Sequence, residues 1–380
     1  MNIFSVKPKI YFDKGSIEYL NTIRNKRVCI VTDPFILKSG AVDNIVNIFK
    51  ANEVKYEIFS EIKPDPSIET VAAGVNKMRT FKPDVIIALG GGSSIDATKS
   101  IILFTIKILN SNGDKYNRPL FIAIPTTSGT GSEVTSFSVI TMGTTKFPLV
   151  DEEMVPDIAI IDADFVKTVP PQITADTAMD VLTHAIEAYV SKNSSDYTDA
   201  LAEKTVKLVF GYLLRAYKDG NDMVAREKLH NASCMAGMAF TNANLGINHS
   251  IAHTVGGNFH IPHGRANSIV LPYVIKYNAE LQGQRETEAA RKYADLSRIL
   301  GLPCSSTEEG VISIICAIKV LMRETNIPSN LKEANVNKNE LFSKLESMVD
   351  AALKDNCTKT NPRIPSKEDI VSLIKEIYED

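Results

Sequence analysis

The sequence predicts an α/β N-terminal domain over residues 1–170, with a doubly wound, mostly parallel, Rossmann-like sheet, followed by an all-α domain over residues 171–380. Three observations lead there. Short β-branched runs alternate with helical patterns in the first part, 3.6-residue periodicity dominates the second, and Val169-Pro170-Pro171 stands where the character changes. With 380 residues and 44% hydrophobic content, the chain exceeds the roughly 250–300 residues at which single cores stop growing.

The runs Arg27–Thr32 (RVCIVT), Tyr56–Ile62, Asp84–Leu89, Leu120–Ile124 and Ile158–Ile161 are divided by helical patterns such as Val42–Lys50 and Ile68–Phe81. Continuous apolar strands separated by helices mean a parallel sheet covered on both faces. Beyond the proline pair, Leu201, Leu208 and Tyr212 recur at helical spacing within Thr198–Tyr217. Ala289, Tyr293, Leu296 and Leu300 form a stripe in Glu286–Leu300 that Gly301 ends. Thr174 or Asp176 is expected to cap the helix carrying Asp180, Gly256-Gly257 to end the one carrying His253, and Ser366 with Asp369 to open the last helix as a capping box.

Composition excludes several functions. The net charge is -3 from 42 basic and 45 acidic residues that are well mixed along the chain, so no basic stripe exists to track a phosphate backbone, and nucleic acid is not an expected partner. No run of 18 apolar residues and no leader pattern is found, which predicts a cytoplasmic protein without a membrane span. The five cysteines are scattered and lack C-x-x-C spacing, against a disulfide framework or a thiolate metal site.

The run Asp84–Leu89 leads straight into Gly90-Gly91-Gly92-Ser93-Ser94 and a helix expected to reach about Lys107. Glycines let the backbone approach a pyrophosphate, and the free N–H groups at a helix start favour the anion. The turn is not G-x-G-x-x-G, and tight packing alone would also account for it. A second polar turn, Pro125–Glu133, follows the run Leu120–Ile124 in the same manner, so that two turns at adjacent strand ends would form a crevice. Asp33 closes the first run. It could accept the ribose hydroxyls and repel a 2′-phosphate, favouring NAD over NADP, or simply form a turn before Pro34.

Asp180-x-x-x-His184 and His249-x-x-x-His253 each put two donors on one helix face, and His260 and His263 follow in an expected loop. A carboxylate with neutral imidazoles suits iron or zinc rather than magnesium or calcium, and spacing leaves open which of the four later histidines coordinate. His230, alone in a polar run, reads as an ordinary structural histidine.

GGGSSIDATK at Gly90–Lys99, IPTTSGTGSEVT at Ile124–Thr135, PDIAIIDADF at Pro156–Phe165, TADTAMDVLTHAIEAYVS at Thr174–Ser191 and GINHSIAHTVGGNFHIPHGRAN at Gly246–Asn267 together resemble the iron-dependent (group III) alcohol dehydrogenases, a family of dehydroquinate synthase-like fold. EIKPDPSI at Glu61–Ile68, SDYTDALAEKTVKLVF at Ser195–Phe210 and TKTNPR at Thr358–Arg363 resemble its branch from propanediol-utilisation microcompartments. The resemblance implies Asp180, His184, His249 and His263 as ligands to Fe(2+), with Zn(2+) an alternative. It implies NAD(H) contacts from Asp33, Gly91, Gly92, Ser93, Thr126, Thr127, Ser128 and Lys146, and it sets His253 beside the nicotinamide as a proton relay. Ala178 departs from the glycine common in the family, and His260 is an addition that would line the substrate pocket.

The activity so implied is NAD(H)-linked reduction of a short aliphatic aldehyde such as propanal to 1-propanol, with 1,3-propanediol dehydrogenase or lactaldehyde reductase activity as alternatives. A homo-oligomer, and residence in the cytoplasm or in a bacterial microcompartment among shell or cargo proteins, follow from the same resemblance. The competing classes are a metal-dependent hydrolase, which has no need of a dinucleotide crevice, and a cyclase acting on a polyanion, which would want a basic pocket where LGINHSIAHTVGG is nearly uncharged. A noncatalytic binding protein would have little reason to carry both constellations.

Overall fold

The computed structural model describes residues 3–111, 117–143, 145–281 and 286–379. The chain divides into two compact units, Ser5–Thr168 and Val169–Asp380, the second joined by Met1–Phe4. Phe4 belongs there because its ring stacks on Tyr197 at 5.4 Å between centroids.

In Ser5–Thr168 the strands are β1 (Lys9–Phe12), β2 (Arg27–Val31), β3 (Lys55–Phe59), β4 (Val85–Gly90), β5 (Leu120–Pro125), β6 (Phe137–Met142), β7 (Thr145–Val150) and β8 (Ile158–Ile161). The helices are α1 (Pro34–Lys38), α2 (Ala41–Ala51), α3 (Ile68–Phe81) and α4 (Gly92–Ser111). Six strands form one parallel sheet in the order β1-β8-β5-β4-β2-β3. Successive residues of the central strands feed opposite cores: Val28, Ile30, Ile87, Leu89, Ile122 and Ile124 pack with α1 and α2, while Cys29, Val31, Ile86, Ala88, Phe121 and Ala123 pack with α3 and α4. Both faces are therefore dry, which is why these strands read as unbroken apolar runs.

Two features escaped the sequence reading. Lys9–Phe12 is an edge strand paired to β8, half polar and too short to signal itself. Strands β6 and β7 form an antiparallel hairpin in which Val139, Met142, Phe147 and Val150 are exposed. The run expected at Tyr56–Ile62 leaves the sheet after Phe59, although Ile62 stays buried, and α4 continues beyond Lys107 to Ser111.

The second unit is helical: α5 (Pro171–Val190), α6 (Asp196–Lys218), α7 (Met223–Ala243), α8 (Ile247–Phe259), α9 (His263–Ala279), α10 (Glu288–Leu300), α11 (Thr307–Glu324), α12 (Lys338–Lys354) and α13 (Lys367–Glu379). From Thr174 to Val190 every residue of α5 except Thr177 is buried, the signature of a helix enclosed by others. Helix α10 ends with Gly301 in the left-handed region, and Ser366 and Asp369 exchange the two bonds of the expected capping box.

Two expected helix ends are corrected. Helix α5 starts at Pro171, because proline at the first helical position has its φ preset and no N–H to satisfy. Thr174 and Asp176 lie inside it. Helix α8 does not stop at Gly256-Gly257 but runs to Phe259, closed by His260 at φ 55°. Gly256 serves packing instead: a Cβ there would lie 3.1 Å from the Ile261 carbonyl oxygen.

Candidate active site

The donors on α5 follow from helical period. Asp180 and His184, one turn apart, point to one side of a helix that is itself enclosed. Opposite them, α8 supplies His249 and the first residue of α9 supplies His263. His263 thus opens a helix rather than lying in the loop expected from the sequence. One ligand atom from each of Asp180, His184, His249 and His263 lies within 4.8 Å of all the others. Asp180 Oδ1 is 3.5 Å from His263 Nε2 and 3.9 Å from His249 Nε2. Two ligands on one tetrahedral first-row ion, with bonds near 2.1 Å, stand about 3.4 Å apart, so the spread is close to what such an ion needs.

The cluster has a dry side and an open side. The His249 and Asp180 side chains are 2% and 5% exposed, whereas His263 is 45% and His253 44% exposed. Burial, then the neighbouring imidazoles His184, His263 and His253, push His249 well below the usual histidine range, so it is neutral and its lone pair is available.

Glu187, two turns beyond Asp180, went unnoticed in the sequence. Its Oε2 sits in a very short contact with His249 Nδ1, and its Oε1 accepts the backbone N–H of Asn248 at 2.8 Å and of His249 at 3.4 Å. Helix α8 has no side-chain cap from its own N-cap residue, Gly246. A carboxylate from α5 closes it instead, while Asn361 Oδ1 takes the Ile247 N–H at 3.2 Å. Burial pushes Glu187 up, against the pull of the Asn248, His249 and Gly246 N–H groups. Those donors and the ring N–H all serve the ionised, accepting form, and we assign the proton to His249 Nδ1 on that ground. Gly246 has to be glycine, since a Cβ would fall 2.9 Å from Glu187 Oε1 and 2.6 Å from Asn361 Oδ1.

His253 stacks on His263 at 5.4 Å, and its Nδ1 is 2.8 Å from Asp355 Oδ2, leaving Nε2 as its other polar atom. Burial would raise the Asp355 carboxyl, but the hydrogen bond and charge of His253 outweigh it and hold it below the usual range. His260 is exposed at the end of α8, and His230 is buried inside α7, where burial pushes it down to about 4.

In Ser5–Thr168 the sheet order reverses between β2 and β4, the position where open α/β sheets bind ligands at strand C-termini. Asp33 follows β2, Gly91, Gly92 and Ser93 follow β4, and Thr126, Thr127 and Ser128 follow β5. Thr126 N–H donates to the Gly90 carbonyl at 3.0 Å. A Cβ on Gly91 would meet Thr127 at 3.3 Å and one on Gly92 would meet Thr130 at 2.8 Å, so the glycines bring the two turns together. Asp33 caps α1: Oδ1 takes the N–H groups of Phe35 and Ile36, both at 2.9 Å, and Oδ2 faces Ser94 Oγ at 3.3 Å. Asp33 is thus a helix cap that stands beside the glycine turn. Lys146 lies on β7, where its ammonium pairs with Asp65 at 2.5 Å. Among the described residues no helix is long and apolar enough to cross a membrane.

A parallel sheet with a glycine turn at its switch point and a helical unit gathering three imidazoles and a carboxylate define the dehydroquinate synthase-like class. The chain belongs to the iron-containing alcohol dehydrogenase family: the family model matches residues 7–163, and the Fe-containing alcohol dehydrogenase C-terminal model matches residues 174–378.

It is 43% identical to the aldehyde-alcohol dehydrogenase of Streptococcus pneumoniae serotype 4 over 100% of this chain but 46% of the relative, so it spans about half the length of that protein. It is 43% identical to the 1-propanol dehydrogenase PduQ of Salmonella typhimurium (99% of this chain, 100% of the relative). It is 41% identical to the NADPH-dependent butanol dehydrogenase of Clostridium saccharobutylicum (99% and 97%). Among solved structures it resembles the iron-containing alcohol dehydrogenase of Thermococcus thioreducens, with a TM-score of 0.89 and 32% identity over 99% of both chains. It also resembles the sulfoacetaldehyde reductase of Bifidobacterium kashiwanohense in complex with NAD+, with a TM-score of 0.86 and 27% identity over 100% of this chain and 99% of that one.

Proposed function

We propose that this protein is a metal-dependent, NAD(H)-linked alcohol dehydrogenase that interconverts a short aliphatic aldehyde and its alcohol, with propanal and 1-propanol as the pair. The reading rests above all on the four donors within 4.8 Å of one another. Three imidazoles, a carboxylate and no thiolate fit Fe(2+) or Zn(2+), and the buried side of the cluster excludes competing water. Asp180, His184, His249 and His263 would hold the ion, with Glu187 keeping the His249 Nε2 lone pair directed at it.

When bound, the ion supplies a Lewis acid for the substrate oxygen and the nicotinamide supplies or accepts the hydride. His253, on the open side, passes the hydroxyl proton through Nε2, its ring held in one orientation by Asp355 on Nδ1. Asp33, Gly91, Gly92, Ser93, Thr126, Thr127, Ser128 and Lys146 would contact the dinucleotide. Similarity to PduQ over its whole length supports propanal over 3-hydroxypropanal or lactaldehyde, and supports residence in a microcompartment among shell or cargo proteins. The domain boundary we propose is the proline pair, with residues 1–170 for the cofactor and 171–380 for the metal, in a homo-oligomer.

The test is anaerobic purification, assay of bound iron and zinc, and NADH and NADPH absorbance with propanal, lactaldehyde and 3-hydroxypropanal. Metal at one ion per chain and fastest NADH oxidation with propanal are expected. Metal-independent activity, or none with any aldehyde, would overturn the reading.

A further inference from the structure

Asn267, one turn after His263 on α9, is fully buried and reaches three of the four donors. Its Nδ2 lies 2.7 Å from Asp180 Oδ1 and 3.1 Å from both His249 Nε2 and His263 Nε2. The facing of this amide is set by another. Asn248 Nδ2 donates to Asn267 Oδ1 at 3.0 Å and to the Asn267 carbonyl at 3.2 Å, and turning either amide over would set oxygen against oxygen. Only the Nδ2 hydrogens can therefore face the cluster. A lone pair on His249 Nε2 and a proton on Nδ1 suit this facing, in agreement with Glu187 at the far side of the ring.

We infer that Asn267 is a positioning residue for the metal centre, acting through Asp180; the inference rests on the metal reading above. An imidazole nitrogen has one in-plane lone pair and cannot serve an amide hydrogen and a cation together, whereas a carboxylate oxygen has two and can. The bond to Asp180 is therefore the one compatible with a loaded centre. It is charge-assisted and roughly twice as strong as a neutral hydrogen bond, while the second amide hydrogen is divided between two ring nitrogens at 3.1 Å. Orientation of the carboxylate outweighs competition for the imidazoles, so losing the amide weakens metal binding.

The experiment is titration of the metal-free chain with Co(2+) against a chromophoric chelator, recording affinity and visible d–d bands, for wild type, Asn267→Leu and Asn267→Ala, each with its thermal unfolding. Weaker binding by about 10–100-fold with shifted bands is expected in whichever variant unfolds cooperatively. Asn248→Ala, which frees the amide to turn, should show a smaller change of the same sign. Wild-type affinity and bands in a folded Asn267 variant would overturn the inference and leave the metal reading standing. Failure of the wild type to take Co(2+) would remove both.

Discussion

One carboxylate joins Glu187 to His249 twice: Oε2 contacts the ring Nδ1, and Oε1 accepts the backbone N–H of the same residue at 3.4 Å and of Asn248 at 2.8 Å. The group that starts α8 is thus also the group that sets the tautomer of a candidate ligand on it. Replacing it with Gln tests the second role. The amide oxygen would be taken by the helix N–H groups, its NH2 would face Nδ1, and the ring proton would be driven to Nε2, among the donors. Glu187→Gln should remain folded by circular dichroism but bind metal at least about ten-fold more weakly. Wild-type affinity would show that the contact does not orient the ring.

Asp180→Asn removes the charge from the only carboxylate of the cluster and should abolish bound metal and turnover. Far-ultraviolet dichroism and NADH binding should be retained, because the residues proposed to contact the cofactor belong to the other unit. Full activity with metal content checked would refute the assignment.

Gly264 lets the start of α9 press against α5 beside Asp180. An added Cβ would be 2.1 Å from the Asp176 carbonyl oxygen and 3.1 Å from Asp180 Cβ, and Arg265 clamps the same turn to Asp176 with bonds of 3.1 and 2.9 Å. The helices cannot both stay in place, so Gly264→Ala should cost about 1–3 kcal/mol in denaturant unfolding. An unchanged midpoint would mean that they slide apart freely.

His230 gives a pH dependence of defined sign. Burial lowers it from 6.5 to about 4, so the folded chain resists the proton that the unfolded chain accepts. Stability from this group is complete above pH 6.5 and is lost as pH falls towards 4, by roughly 3 kcal/mol. Comparing wild type with His230→Gln by thermal unfolding between pH 7 and 4 should show the wild type losing more. Parallel curves would contradict it.

Asp33→Gly should raise kcat/KM with NADPH relative to NADH, since a negative charge beside the glycine turn is removed. Glycine is itself a tolerable cap, so the stability loss should be a few tenths of a kcal/mol. An unchanged cofactor ratio would leave Asp33 a cap and nothing more.

The parallel sheet was legible because its strands are dry on both faces, and α3 lies over Ile68–Phe81 as its periodicity predicts. The candidate donors were legible for a similar reason: i to i+4 spacing on α5 concentrates Asp180 and His184 on one side whatever packs against it. Which later histidines join them was not, because His249 and His253 share a spacing yet one is buried among the donors and the other is exposed on Asp355.

By itself, then, the sequence determined what depends on local geometry: alternating strands and helices, two glycine or polar turns at strand ends, and donors one helical turn apart. Only the tertiary structure decided what depends on groups distant in the chain. Glu187 closes a helix about 60 residues away, Asn267 is aimed by Asn248, and α8 keeps Gly256 where the Ile261 carbonyl oxygen stands in the space a side chain would need. A buried polar group must find a partner wherever the fold supplies one, and no spacing rule along the chain says where that will be.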